Sequence, residues 1–150
     1  LSFIYSFHFY LTMTIILKSV TKNDLNFLYK LLESRNPNQN ISHKKMPTFS
    51  QHKKFVLSKP YSKWYIIYQN SVKIGSIYLS KQNEIGMFIL KKYKKSNMDF
   101  KPIQLLMNKN PRKRYLANVS IKNKKSMKFF KEHKFQLIQH TFELSKELIK

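Results

Sequence analysis

Cysteine is absent, glycine occurs only twice and proline five times. Without cysteine there is neither a disulfide framework nor a thiolate-ligated zinc. With so little glycine, no Gly/Ser linker or other low-complexity tract divides the chain. Arginine is nearly missing as well: Arg35, Arg112 and Arg114 are the three, so 26 of the 29 basic residues are lysine. Lysine is a mobile point charge, whereas base and phosphate recognition in nucleic acids favours the planar guanidinium fork. A nucleic-acid binder is therefore not the reading to expect, despite the net charge of +22. Abundant Lys, Asn, Ile, Phe and Tyr are what a strongly AT-biased genome writes. The basic surface still suits a smaller anionic partner. The five histidines, His8, His43, His52, His133 and His140, form no close pair at metal-ligand spacing, and no metal is expected.

No apolar run reaches the about 20 residues that a membrane-spanning helix needs. The stretch Leu1–Leu11 is apolar, but Lys18 follows too soon, and the basic start and small-residue cleavage site of a secretory signal are missing. The expectation is an extension over residues 1–12, a domain over 13–150 starting at Met13, and a cytoplasmic protein without a membrane partner.

What is present describes a packed domain. Hydrophobic residues make up 42% and aromatic residues 15% of the 150 positions, too many for a disordered chain. That length suits one domain, which buries roughly two-thirds of its unfolded surface.

Ile15–Ser19 is a β-branched run, and Thr21 to Asp24 open a helix in which Leu25, Leu28, Leu31 and Leu32 recur at helical spacing until Asn36-Pro37. A polar loop covers Asn38–Met46. Ser50 can cap a second helix with Phe55 and Val56 inside, closed by Lys59-Pro60. Trp64–Tyr68, Val72–Leu79 and Ile85–Leu90 are successive strands, separated by a turn cluster at Gln69-Asn70-Ser71 and by Asn83. After a basic loop, Lys91–Asp99, comes a helix over Phe100–Met107 with Pro102 in its first turn. A strand follows over Arg114–Val119, then a helix over Asn123–Glu132. Two short strands, Phe135–Ile138 and Thr141–Leu144, finish the chain. The order, β-α-α-β-β-β-α-β-α-β-β, mixes an antiparallel meander with a βαβ crossover and predicts an α/β mixed sheet.

This order and two local strings, from Met13 onward, resemble the GNAT family of N-acetyltransferases. In that family the strand before the cofactor loop leads into Gln/Arg-x-x-Gly-x-Gly/Ala, opening a helix. Here Ile85–Leu90 leads into Lys94-Lys95-Ser96-Asn97-Met98-Asp99, with Asn97 and Asp99 where the family has glycines. The second string is Asn123-x-x-Ser126-x-x-Phe129-Phe130, then Lys134-Phe135 where the family has Gly-Phe. The resemblance implies a mainly antiparallel sheet of about six or seven strands flanked by about four helices. It also implies acetyl-coenzyme A as acyl donor and a primary amine as acceptor.

The loop must present free helix N-terminal amides to a pyrophosphate. Asn and Asp tolerate left-handed φ best among residues with a Cβ. Asp99, however, adds a carboxylate that repels phosphate, and it reads equally as a helix cap. Lys94 and Lys95 offset that charge, or are solvated loop lysines. From the resemblance, Asn123 and Ser126 touch the pantetheine arm and Phe130 lies near the thioester. Phe130 cannot act as an acid, and a thiol of pKa about 8.5 leaves readily as thiolate. The resemblance places Glu84 as the base that frees the amine, unless it is a solvated strand-edge residue. Backbone amides at Phe88, Ile89 and Leu90 are expected to stabilise the oxyanion and pair with the pantetheine. Acceptor contacts are expected from Asn36–His52, with His43 and His52 as its polar groups of interest. Ser50-x-His52, Phe55, Pro60-Tyr61 and Trp64 resemble the branch acting on nucleotide-linked amino sugars. Two other readings stay open: a GNAT-fold protein that binds without catalysing, and a lysine-rich nucleic-acid binder.

Overall fold

The structure is a computed structural model and describes residues 13–35, 45–94 and 99–146. Four strands form one sheet in sequence order: β1 (Ile15–Ser19), β2 (Lys63–Gln69), β3 (Val72–Leu79) and β4 (Ile85–Ile89). All neighbours are antiparallel. Four helices accompany it: α1 (Leu25–Glu33), α2 (Phe49–Leu57), α3 (Lys101–Lys109) and α4 (Lys124–Glu132).

Local chemistry sets the boundaries. A 3-10 turn at Lys22–Asp24 precedes α1. The Asp24 carboxylate accepts from the Thr21 backbone N–H at 2.8 Å, and Thr21 Oγ1 accepts from the Asn23 N–H, so two free donors of the helix start are satisfied. The cap of α2 is Thr48, not Ser50: Thr48 Oγ1 accepts from Gln51 N–H and the Gln51 side chain accepts from Thr48 N–H. This reciprocal pair captures two backbone donors where Ser50, inside the first turn, could capture none. The β2–β3 hairpin closes through Asn70 and Ser71 with φ of 47° and 67°, the twist-matched two-residue turn.

The sheet carries a helix pair on each face. Leu17, Tyr65, Ile67, Ile77, Leu79 and Ile85 pack with Ile103 and Leu106 of α3 and Phe129 of α4. On the opposite face Ile66 packs with Leu28 of α1 and Val56 of α2. Alternation along β2 divides its side chains between the two faces.

The expected six or seven strands are four among the described residues. Of Arg114–Val119, only Leu116 pairs, in an isolated parallel bridge with Glu84. Phe135–Ile138 and Thr141–Leu144 form no strand, although their composition is strand-like. Leu137, Ile138, Phe142 and Leu144 are all largely exposed, and a strand pattern gains its stability only from a paired neighbour and a buried face.

Candidate active site

The outer edge of β4 is the first feature. Ser80 N–H donates to the Glu84 carbonyl at 2.9 Å and Leu90 N–H to the Ile74 carbonyl at 2.8 Å, so residues 84 and 90 turn their amides and carbonyls toward β3. Ile85 N–H donates the other way, to the Leu116 carbonyl at 2.7 Å, and Leu116 N–H donates to the Asn83 carbonyl. Direction alternates along a strand. The Phe88 and Leu90 amides therefore face β3, and those of Met87 and Ile89 face the outer edge. This corrects the expectation for Phe88 and Leu90: their N–H groups belong to the sheet ladder and are not available to an oxyanion. The Ile89 amide faces the outer edge, and so does that of Met87, which is absent from the sequence reading. The signal was the even-numbered register of the meander, which a sequence does not fix.

Past Leu116 no further pairing joins the 114–119 segment to β4. Among the described residues the two segments meet at one bridge, leaving the rest of this strand edge open.

Glu84 sits at the closed end of this arrangement. Its Oε1 accepts from Asn118 Nδ2 at 2.9 Å and its Oε2 from Ser80 Oγ at 3.2 Å. Four residues of strand separate it from Phe88, about 13 Å at the usual rise.

Beyond β4, Lys94 precedes four residues, Lys95, Ser96, Asn97 and Met98, that lie outside the described residues, as does His43. The Lys94 side chain is exposed overall. Its ammonium is nonetheless held below the ordinary lysine value, first by partial desolvation and then by the Lys125 ammonium. Lys125, in the first turn of α4, was missed from sequence; its nearness to Lys94 comes from the crossing of distant segments. Asp99 Oδ1 accepts from Lys101 N–H at 2.8 Å, so the carboxylate takes one of the amides at the start of α3. Asn123 caps α4, its Oδ1 accepting from Ser126 N–H at 3.2 Å. Phe130 stacks edge-on with Phe129 and Phe135, at 5.2 and 5.0 Å between ring centres, and packs against the core.

A pocket of about 190 Å³ lies on the α1/α2 face. Leu28, Leu31 and Leu32 line one side, Arg35, His52 and Phe55 another, and Tyr61, Trp64 and Ser76 the sheet side. Four residues of the expected acceptor string, His52, Phe55, Tyr61 and Trp64, thus come together. The Arg35 guanidinium lies 3.4 Å over the Phe88 ring, and Tyr61 stacks on Tyr78 at 3.8 Å and 3°. A Cβ on Gly86 would collide with the Tyr78 ring, so glycine there lets the ring lie flat on β4. Burial lowers the His52 pKa, with Arg35 adding to the effect, and the imidazole is neutral at pH 7. Burial also raises the Tyr61 and Tyr78 hydroxyl pKa values. Among the described residues no group of three or more His, Asp or Glu is placed to hold a metal, and no helix is long and apolar enough to cross a membrane.

No family model matches the sequence, and no curated protein matches it. Solved structures do. A domain from Methanocaldococcus jannaschii has a TM-score of 0.74 at 23% identity, over 87% of this chain and 94% of that one. RimL, a ribosomal-protein alpha-N-acetyltransferase in complex with coenzyme A, has a TM-score of 0.67 at 16% identity, over 84% and 82%. The spermidine/spermine N-acetyltransferase SpeG from Vibrio cholerae has a TM-score of 0.64 at 18% identity, over 84% and 81%. At these identities the likeness is one of fold: this chain has the mixed α/β fold of the GNAT acetyltransferases.

Proposed function

We propose that this protein is an N-acetyltransferase that moves an acetyl group from acetyl-coenzyme A to a primary amine by direct attack. The observation that carries the reading is the open outer edge of β4, where the Met87 and Ile89 amides face away from the sheet beyond the single bridge to Leu116. An extended pantetheine amide can pair there as an added strand. Met87 or Ile89 N–H then donates to the thioester oxygen as negative charge develops on it.

The amine nitrogen bonds to the carbonyl carbon, the C–S bond breaks, and the thiolate departs without an acid, in keeping with a phenylalanine at 130. Glu84 lies too far from Phe88 to take the ammonium proton directly, and in this role it acts through ordered water. Lys94, Lys95 and Lys125 offer cations to the cofactor phosphates, with amides from residues 96–99. Asn123 and Ser126 lie at the start of α4 for the pantetheine arm, and Phe130 beside the thioester. The amine enters from the α1/α2 pocket, with His52 as a polar contact and His43, outside the described residues, as a second candidate. A nucleotide-linked amino sugar is the acceptor suggested by the string from Ser50 to Trp64, and a cytoplasmic location goes with this reading.

A second reading rests on Asp99. Its carboxylate accepts the Lys101 amide, occupying one of the free amides at the start of α3, which favours a GNAT-fold protein that has lost its cofactor. Calorimetry with acetyl-coenzyme A separates the two. Micromolar binding, followed by thiol release in an amine panel, supports the enzyme; no binding by the wild type removes it.

A further inference from the structure

The α1/α2 pocket has a charge of one sign. Among the described residues, Arg35 is the only ionised side chain lining it. The acidic residues are few, and those with visible partners are engaged elsewhere. Asp24 pairs with Lys73, Glu84 with Asn118 and Ser80, Asp99 with the Lys101 amide and Glu132 with Lys128. Glu33 and Glu143 are exposed and do not line the pocket, and the sequence between Arg35 and Lys45 contains no acid.

Three side-chain nitrogens among the described residues are buried without a hydrogen-bond partner: Arg35 Nε, His52 Nε2 and Trp64 Nε1. All three residues line this pocket, and His52 as a whole is 5% exposed. Buried polar atoms are ordinarily paired, so three orphans in one concavity mark a place built for a ligand's acceptors. Arginine Nε and indole Nε1 can only donate, and a neutral imidazole donates from one of its nitrogens. Arg35 makes no ion pair among the described residues, and its guanidinium carbon lies 3.4 Å over the Phe88 ring, a contact that restrains the group.

We propose that the acceptor amine carries an anionic group, a carboxylate or a phosphate, which Arg35 binds in this pocket with Trp64 and His52 as further donors. The inference rests on the acetyltransferase reading and names its substrate class. Phe88, beneath the guanidinium, belongs to the same strand as Met87 and Ile89. An anion anchored on Arg35 therefore brings an amine a few bonds away toward the edge where the thioester is held. A polyamine finds no counter-charge in the pocket and meets a guanidinium instead.

The chain has a single tryptophan, and it lines the pocket, so its fluorescence reports occupancy without any turnover. The intact protein is titrated at constant ionic strength with matched pairs: serine against serinamide, phosphoethanolamine against ethanolamine, and spermidine as the polycation. We expect serine or phosphoethanolamine to bind at least tenfold more tightly than its neutral partner, and which pair shows the gap tells carboxylate from phosphate. Arg35→Gln removes the gap, and Arg35→Lys keeps part of it. Equal binding within both pairs overturns the proposal, as does tighter binding of spermidine, a gap that survives Arg35→Gln, or no response to either anionic probe. Should Arg35→Gln fail to fold, the wild-type ratios and Arg35→Lys decide. Acetyl transfer to spermidine or ethanolamine in preference to the anionic amines would sink this inference and leave the acetyltransferase reading standing.

Discussion

The two faces of the sheet treat their buried polar atoms differently. On the α3/α4 face, buried Asn110 is fully engaged: its Nδ2 donates to the Leu106 carbonyl at 2.9 Å, and it shares a hydrogen bond with the Tyr65 hydroxyl. On the α1/α2 face, Arg35, His52 and Trp64 each bury a nitrogen without a partner. Ile103 and Leu106 are completely enclosed on the first face. The second face buries Leu28, Leu31, Val56 and Ile66 and leaves a pocket among the helices. Unpaired buried donors cost free energy. A fold that gathers them on one face draws its stability from the other.

The largest effect that tests this contrast is truncation of the packed face. Leu106→Ala should cost about 3–4 kcal/mol in urea unfolding, because a fully enclosed leucine leaves a cavity that α3 cannot close. Val56→Ala on the pocket face removes less apolar bulk and should cost only about 1–2 kcal/mol. Equal losses would break the contrast.

The next effect is electrostatic and belongs to the pocket face. Burial raises the Asp24 pKa, but hydrogen bonds from Lys73 and Thr21, with the Lys73 charge, outweigh it and hold the carboxyl below its ordinary value. The Lys73 Nζ to Asp24 Oδ1 distance is 2.7 Å. A depressed folded-state pKa contributes stability that is present above the unfolded value and is lost as pH falls through the folded one. Asp24→Asn should therefore cost about 2 kcal/mol at pH 7, and the gap to wild type should narrow below pH 4. A gap independent of pH would assign the loss to geometry rather than charge.

On the cofactor side, Asp99→Asn keeps a side-chain oxygen for the Lys101 amide and removes the charge at the start of α3. Helix-terminal charge effects run to about 1 kcal/mol, so acetyl-coenzyme A should bind several-fold more tightly by calorimetry. Unchanged affinity would mean that Asp99 does not face the phosphates.

Much of this architecture was legible in the sequence because it rests on local signals. The four strands, the helix with Pro102 in its first turn and the helix beginning at Asn123 all follow from period and punctuation. The 114–119 segment and the two C-terminal runs carry the same local signal but form no strands, since pairing is decided by a distant partner. The site divides the same way. His52, Phe55, Tyr61 and Trp64 could be grouped from their order along the chain. Arg35 could not, because only the tertiary fold sets it on Phe88. Nor could Met87, because the side to which an amide points depends on register. Lys125 approaches Lys94 only through the tertiary fold.

The smallest effect concerns how a chain with two glycines builds its turns. Both glycines sit in strands, where a Cβ on Gly86 would strike the Tyr78 ring and one on Gly75 the Phe88 carbonyl. Among the described residues the left-handed positions fall instead to Lys59, Asn70, Ser71, Asn83 and Lys134. Lys134, at φ 70°, ends α4: its N–H donates to the Lys131 carbonyl, Phe135 N–H donates to the Phe130 carbonyl at 2.9 Å, and the Phe130 and Phe135 rings close over the turn. Those two hydrogen bonds and the apolar contact form the helix stop at which glycine is the favoured residue. A lysine held there carries a backbone penalty of about 1 kcal/mol. Lys134→Gly should therefore stabilise the protein by about 0.5–1 kcal/mol, a shift of a few degrees in Tm, on the packed face where nothing needs to open. Lys134→Ala is the control, because it removes the ammonium and keeps the Cβ. If alanine stabilises as much as glycine, charge crowding among the lysines of α4 is the cause and the left-handed backbone is not.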